Sequence, residues 1–186
     1  PDDIAIFEII PMEDNQHARF DATQRRYDYF IHTYKDPHLN HVSAWYPEKN
    51  LDLDRMKRGV SLLTQYTDFR AFCKSPDTYL HTICKVSSAI LFTDAKGERL
   101  RFQISADRFL GRMVRLIVGK LLQLGKGELT LDEFESYLVT KTPPKVLDVA
   151  YPQGLFLSKV TYPYLDIPMR TAFSTIGHPE DQWLTL

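Results

Sequence analysis

The sequence has few of the residues that a disulfide framework, a membrane span or a strongly charged surface would require. Its 186 residues include two cysteines, Cys73 and Cys84, too few for a disulfide framework, and a reducing compartment is the default expectation. Lys and Arg number 23 against 24 Asp and Glu, for a net charge of −1, so a nucleic acid would have to bind a local basic patch. No apolar run approaches the length of a membrane span, and no signal-peptide pattern is visible.

What remains is an ordinary globular composition, with 44% hydrophobic and 25% charged residues, enough for one domain with a substantial core. Period-two patterns predict strands over residues 4–10, 25–34, 42–46 and 155–162, and a hairpin over 83–106. In the return strand of the hairpin, Leu100, Phe102, Ile104 and Ala106 are expected to face inward, and Arg99, Arg101, Gln103 and Ser105 outward. Residues 4–10 are apolar on both faces, the pattern of a strand covered on both sides.

Three helices are predicted from capping residues and apolar spacing. Asp52 is expected to cap the first helix, and Thr130 with Glu133 forms a capping box for the third, which ends near Thr140. The second is expected to begin near Asp107, with an apolar face at Leu110, Met113, Val114, Ile117, Leu121 and Leu124. Because strands and helices do not alternate regularly, the pattern favours an α+β fold, a mostly antiparallel sheet with helices on one face.

Arg108, Arg112 and Arg115 are expected to share a second face of that helix. None has a carboxylate four residues later to neutralise it, and the fork of a guanidinium suits phosphate or carboxylate. The sequence therefore predicts an anion-binding stripe, and the alternative is a solvated helix face.

Several segments resemble, in order, the signature segments of the tRNA pseudouridine synthase A family. The longest is Phe109-Leu-x-x-Met-Val-Arg-x-Ile-Val-Gly119. The others are Pro1-Asp-Asp-Ile4, His17-Ala-Arg-Phe-Asp-Ala-Thr23 followed by Arg25-Arg-Tyr-Asp-Tyr29, Asp68-Phe69 with Phe72, and Gly154-Leu-Phe-Leu157. The resemblance runs from residue 1 to about 163, which divides the chain into a cleft-forming domain, 1–163, and a tail, 164–186.

The resemblance implies a split ferredoxin-like (RRM-like) half of a synthase. The family's nucleophilic aspartate lies in an upstream Gly-Arg-Thr-Asp-Ala-Gly-Val-His segment that has no match here, so we expect a C-terminal portion that is inactive alone. Four other aspartates could supply a carboxylate in its place, but each has a better local explanation in a turn, a strand or a cap: Asp21, Asp28, Asp68 and Asp107. The family implies isomerisation of uridine to pseudouridine in the anticodon stem-loop of tRNA by a cytoplasmic homodimer that uses no cofactor or metal.

The resemblance also assigns site residues. Tyr27 matches the active-site tyrosine, whose phenol could stack on the uracil and serve in removing the C5 proton; its alternative is a packing role. Arg115 matches the arginine that pairs with the catalytic carboxylate. Leu155 matches an apolar wall of the uracil pocket, or else belongs to the core. The candidates for RNA phosphate contacts, with solvated surface charge as the alternative, are Arg25, Arg26, Arg108 and Arg112.

Some residues depart from the family pattern. Asp107-Arg108 stands where the family often has Asn-Gly, Gly111-Arg112 where it has Arg-His, and His81 near where it has an arginine. These changes bear on substrate choice more than on fold. His38 and His41 lack the acids or cysteines that would complete a metal site.

Two other functions remain open. One is a non-catalytic RNA-binding module of the same fold, which a substituted upstream aspartate would favour. The other is an unrelated ferredoxin-like interaction domain, which would make every motif match accidental.

Overall fold

In the computed structural model, which describes residues 1, 4–48, 50–165 and 183–186, helices cover one face of a mostly antiparallel sheet, which confirms the α+β prediction. The strands are β1 (Gln24–His32), β2 (Ala44–Trp45), β3 (Val86–Thr93), β4 (Arg99–Ala106), β5 (Leu155–Thr161) and β6 (Leu184–Thr185). The α-helices are α1 (Leu53–Leu62), α2 (Met113–Lys126) and α3 (Leu131–Thr140). Short 3₁₀ turns occupy Arg70–Phe72, Pro76–Thr78 and Pro152–Gly154.

Strand β1 is central in the sheet. It pairs along its length with β4, and its other edge is shared by β5 near the beginning of the strand and β2 near its end. The path continues from β4 to β3 and then β6. All these pairings are antiparallel except the short one between β1 and β2. A change in β1 therefore reaches three neighbouring strands.

The core lies between the helices and one face of this sheet. Tyr29 and Ile31 of β1 pack there with the predicted inward residues of β4 and with the apolar sides of the helices. The side chain of Asp52 accepts a hydrogen bond from the Arg55 amide at the start of α1. Thr130 and Glu133 form the predicted capping box of α3. The sequence signals for both helix starts are confirmed.

The predicted start of α2 is wrong. The helix begins at Met113, because Arg112 has a left-handed backbone with φ 63°. The Asp107 carboxylate accepts from the amides of Lys85 and Arg108, which ties the preceding loop to β3. Arg108 and Arg112 therefore lie in a loop, and the predicted stripe of three arginines on one helix does not exist. The predicted apolar residues are all buried.

Residues 4–10 do not form the predicted buried strand. Ile6 and Ile9 are 78% and 86% exposed, and no strand of the described part pairs with this segment. An alternating apolar pattern makes a strand only where another strand accepts its backbone hydrogen bonds.

The second face of the sheet is less exposed than predicted, since Arg99, Arg101 and Ser105 are all buried. Arg101 faces away from the helices, as expected, yet is buried. Its Nε donates to Asp28 Oδ1 at 2.7 Å, and its guanidinium lies over the rings of Phe30 and Phe92. Gln103 donates to the same carboxylate oxygen at 3.0 Å. Arg101 thus lies on the predicted face, and its ion pair with Asp28 on the neighbouring strand allows it to be buried.

Strand β6 lies in the tail, for which the sequence predicts no strand. Leu184 and Thr185 pair with Thr93 and Phe92 at the edge of β3. Of the predicted tail, 164–186, residues 166–182 lie outside the described residues. No helix of the described ranges is long and apolar enough to cross a membrane.

Candidate functional site

Tyr27 lies on the helix-facing side of β1. It pairs with Ile104 of β4 and Leu157 of β5, and β1 has a register irregularity against β5 between Arg26 and Tyr27. The Tyr27 ring is half-buried and meets the Phe109 ring edge to face, with centroids 5.0 Å apart. Irregularities of this kind redirect a side chain and are common beside active sites.

Leu155 lies on the same side of the sheet. It pairs with Tyr29, two residues beyond Tyr27 on β1, and its side chain is half-buried against the core. Because paired residues of antiparallel strands project to the same face, Tyr27 and Leu155 form adjacent parts of one half-exposed apolar surface. Phe109 completes it from the loop before α2.

Arg115 is a half-buried residue in the first turn of α2. Its Nε donates to the carbonyl oxygen of Ala150 at 2.6 Å, and its own carbonyl accepts from the Ala150 amide at 3.1 Å. No carboxylate of the described residues forms an ion pair with this guanidinium.

Tyr29 links the same region to β1. Its hydroxyl donates to the Tyr151 carbonyl at 2.6 Å, and the Tyr151 amide donates to the Tyr46 hydroxyl at 3.0 Å. Burial raises the pKa of Tyr29 far above its usual range, and the nearby charge of Arg115 opposes that rise only in part. Tyr29 is therefore a neutral structural donor, and it holds Tyr151 beside Arg115.

Two glycines allow the segment before β5 to approach its neighbours. A Cβ on Gly119 of α2 would overlap the carbonyl oxygen of Asp148, and one on Gly154 would overlap the carbonyl oxygen of Phe30. Both glycines belong to the signature segments noted above. Their role is physical: backbone packs directly on backbone where a side chain would separate the two.

The four predicted RNA-binding arginines do not form one group. Arg25 donates to the carbonyls of Ala22 and Asp107 at 3.3 and 3.0 Å, and also to that of Arg19. Arg26 donates to the hydroxyl of Ser105 at 3.1 Å, on the sheet face opposite Tyr27.

Arg108 and Arg112 lie in the loop that carries Phe109. Arg108 lies over the Tyr79 ring at 5.9 Å, with an Nη 3.4 Å from His81 Nε2, and Arg112 is exposed. The hydroxyl of Tyr79 accepts from the Gly111 amide at 2.9 Å, so the loop is tied to the segment that precedes β3. The loop thus carries Arg108 one residue before Phe109 and Arg112 three residues after it, and the Phe109 ring contacts Tyr27.

The aspartates weighed as replacement nucleophiles all have local partners. Asp28 is fully buried against Arg101, and Asp107 caps its own loop. Asp21 accepts from the His17 amide and the Tyr164 hydroxyl, which lower its pKa. Partial burial raises the pKa of Asp68, but bonds from Thr82, Lys141 and the Arg70 amide outweigh it and the pKa is lowered. Each carboxylate thus has at least one partner, although Oδ2 of Asp28 is buried without one.

Cys73 and Cys84 are both buried as free thiols, and the described residues contain no cluster of His, Cys, Asp and Glu that could hold a metal.

Sequence reasoning missed Phe109 and residues 148–151 as parts of the site. Phe109 stands at the head of the longest signature segment, and that position was the available signal. Towards Arg115, Gly119 and Tyr29 these residues present backbone atoms, which leave no signal in residue identity.

Comparison with known proteins agrees with the resemblance. A family model described as tRNA pseudouridine synthase matches residues 66–163. The tRNA pseudouridine synthase A of Parabacteroides distasonis is 40% identical over 167 residues, which cover 88% of this chain and 64% of the relative. Proteins of the same name from Bacteroides thetaiotaomicron and Gloeobacter violaceus are 38% and 34% identical, over 88% and 92% of this chain and 61% and 56% of the relatives. The chain thus spans roughly three fifths of the length of these relatives.

Proposed function

The chain belongs to the tRNA pseudouridine synthase family, and from this premise we propose that it forms one side of an active site that isomerises uridine to pseudouridine in the anticodon stem-loop of tRNA. The reaction breaks the bond from C1′ of the ribose to N1 of uracil and forms a bond from C1′ to C5. The proton on C5 is lost and N1 gains a proton, so the composition is unchanged. The reaction has no net redox change and requires no cofactor or metal. The proposal concerns the whole enzyme, since these 186 residues span only about three fifths of the length of the relatives.

The environment of Arg115 is the observation that carries this proposal. Its guanidinium is anchored through Nε to the Ala150 carbonyl, while no described carboxylate neutralises it. A half-buried, fixed guanidinium favours an ionised carboxylate at its free Nη groups. We assign that carboxylate to the nucleophilic aspartate of the family, supplied by a part of the enzyme outside these residues. The aspartate would form a covalent adduct with the nucleotide and divide one difficult step into two.

Tyr27, Phe109 and Leu155 offer the surface for the base. A uridine must leave its stack before an enzyme can act on it, and aromatic and apolar side chains replace the lost stacking. Tyr27 presents a phenol on this surface, so it can both contact the uracil and take part in removing the C5 proton. Leu155 forms the apolar wall beside it.

For the RNA backbone we propose Arg108 and Arg112 as the nearer phosphate contacts. They lie in one loop with Phe109, whose ring touches Tyr27. Arg25 and Arg26 complete the proposed set, although their guanidiniums already donate to groups of the chain. Because net charge is −1, binding to tRNA depends on such local arginines and weakens steeply with salt.

We further propose, on the resemblance, a cytoplasmic homodimer. The exposed apolar side chains of residues 4–12 offer area that a larger assembly would cover, since contiguous apolar patches mark interaction sites. Sedimentation equilibrium of the full-length protein tests this: a monomer at micromolar concentration would contradict it.

The activity is tested by tritium release from tRNA carrying 5-tritiated uridine. The full-length protein should release tritium, and the 186-residue chain alone should not. Release by the 186-residue chain would contradict the assignment of the nucleophile. Salt-sensitive tRNA binding by a full-length protein that releases no tritium would favour the non-catalytic RNA-binding alternative.

A further inference from the structure

Residues 146–151 have no regular secondary structure and lie against α2, beside Arg115. Ala150 and Arg115 are joined by two hydrogen bonds: the Ala150 carbonyl accepts from Arg115 Nε, and the Ala150 amide donates to the Arg115 carbonyl. One turn later, Gly119 lets the Asp148 carbonyl approach the helix closer than any side chain would allow. The position of the segment therefore determines where the acceptor of the Arg115 Nε–H lies.

Lys120 is the principal polar side chain that holds this segment on the helix. It is 4% exposed. Its Nζ donates to Gln123 Oε1 at 2.8 Å, to the Val146 carbonyl at 3.3 Å and to Asp148 Oδ2 at 3.2 Å. All three ammonium protons thus have acceptors, which a buried lysine requires.

Gln123 closes the network. Its amide donates to the same Asp148 Oδ2 at 2.7 Å, while the Tyr137 ring lies 5.9 Å from the Lys120 ammonium. Side chains of α2 therefore bind two residues of the segment, Val146 and Asp148. The network lies outside the Tyr27–Leu155 surface and touches neither residue.

Fixing the segment also fixes the guanidinium. A guanidinium is planar, so a hydrogen bond from Nε to a stationary carbonyl sets the direction of both Nη groups. A catalytic group must be held within a fraction of an ångström of its productive position, and supporting hydrogen bonds supply that constraint.

We propose that Lys120, acting with Gln123 and Asp148, is a positioning residue that directs the Arg115 guanidinium through residues 146–150. The catalytic part of this inference rests on the proposed function. The effect of Lys120 on the hydrogen bond between Arg115 Nε and the Ala150 carbonyl does not depend on it. Lys120 touches no reacting group and acts only through the carbonyl of Ala150.

The test compares Lys120→Met with Lys126→Met in the full-length protein. Lys126 is on the same helix and pairs with Glu48 at 2.5 Å, so its loss removes a comparable ion pair without touching residues 146–151. The direct readout is hydrogen exchange of the Arg115 Nε–H, followed by NMR on arginine-labelled protein. Lys120→Met should accelerate that exchange about tenfold or more, because an anchored N–H exchanges only on opening. Lys126→Met should leave it unchanged.

The kinetic readout separates positioning from binding. Lys120→Met should lower kcat for uridine isomerisation about tenfold or more while KM for tRNA stays within about twofold. Unchanged Nε–H exchange overturns the inference, whatever the turnover. Faster exchange with an unchanged kcat overturns it too, because the guanidinium would then need no positioning.

A second variant covers the case in which Lys120→Met does not fold. Gly119→Ala adds a methyl group that must displace the Asp148 carbonyl, although alanine favours the helix itself. It should reproduce both effects, and normal exchange and turnover in it would overturn the inference. If the wild-type full-length protein does not isomerise uridine, the proposed function fails, and Nε–H exchange still decides the contact.

Discussion

Arg115 and Ala150 are joined by two hydrogen bonds that run in opposite directions across 35 residues of sequence. One uses the backbone carbonyl of the arginine and the other its Nε, so helix and side chain are held by the same peptide. The two Nη groups remain for another partner. This arrangement distinguishes arginine from lysine at this position.

Arg115→Lys should therefore behave like Arg115→Met. A lysine keeps the charge but has neither the Nε donor nor the fork, so kcat in the full-length enzyme should fall by about 100-fold or more in both variants. Single-turnover tritium release measures this. Arg55→Lys, at the exposed ion pair with Asp52, is the control. Wild-type turnover in either Arg115 variant would reject the assigned role.

Tyr27→Phe should separate stacking from proton transfer. The phenylalanine ring keeps the edge-to-face contact with Phe109, so KM for tRNA should change little. Loss of the hydroxyl should lower kcat by about 10²–10⁴-fold if the phenol takes part in removing the C5 proton. Tyr34→Phe, beyond the end of β1, should have no effect. Normal turnover in Tyr27→Phe would leave the tyrosine a packing residue only.

Gly154→Ala should destabilise the fold. The added methyl group would overlap the Phe30 carbonyl and press on the Tyr29 ring, and overpacking of this kind costs about 1–3 kcal/mol. Denaturant unfolding of the full-length protein measures the loss. Gly111→Ala is the matched control, because its methyl group would lie 3.1 Å from the hydroxyl of Tyr79, the end of a flexible side chain. Equal effects of the two substitutions would contradict the packing argument.

Cys84 should resist alkylation in the folded protein. Burial raises the pKa of its thiol from 9.0 to about 12, and the thiolate is the reactive form. At pH 8 its labelling by iodoacetamide should be roughly a thousandfold slower than in the unfolded chain, since each pKa unit is a factor of ten in thiolate. Peptide mass mapping with and without guanidinium chloride reports the ratio. Rapid labelling of the folded protein would contradict this, because it would show that Cys84 becomes exposed to solvent.

His32 should make stability depend on pH in the mildly acidic range. It is 1% exposed and bonded through Nδ1 to Ser43 Oγ at 3.0 Å. Burial lowers its pKa below 6.5, with Arg99 adding to the effect and Asp36 opposing it. Below pH 6.5 His32 becomes protonated in the unfolded chain while it is still neutral in the folded chain, which favours unfolding. The contribution of His32 is therefore complete above that pH and is lost as pH falls through the folded pKa.

Denaturant unfolding of the full-length protein between pH 7.5 and 5 checks this. His32→Asn should flatten the decline in the free energy of unfolding, whereas His41→Asn, at an exposed position, should leave it as in the wild type. An equal slope in all three proteins would exclude His32 as the cause.

The parts of the fold that depend on local sequence were predictable. The alternation in β4, the caps at Asp52 and Thr130, and the apolar side of α2 each follow from neighbouring residues. The start of α2 was not predictable from local sequence. It depends on hydrogen bonds from the Lys85 amide to Asp107 and from the Gly111 amide to Tyr79, which join residues 22 and 32 positions apart. Residues 4–10 failed for a related reason, since a strand needs a partner that its own pattern does not specify.

The site divides in the same way. The motifs predict Tyr27, Arg115 and Leu155 as site residues. In the structure Tyr27 and Leu155 lie on one face of the sheet, with Arg115 in the helix above. What could not be predicted is how the arginine is held, because Ala150 contributes only backbone atoms. The burial of Arg101 was also missed, since its partner Asp28 lies on another strand.

The Asp28–Arg101 pair has a consequence for how this lineage can change. Its two members lie on neighbouring strands, buried side by side, and removing either one leaves the other charge uncompensated, a cost of about 3–5 kcal/mol. A single substitution at either position therefore produces an unstable protein. Replacing both residues together with apolar ones need not lower the stability. Among related sequences positions 28 and 101 should therefore change together. A sequence in which only one of them is replaced should carry a compensating substitution next to the pair.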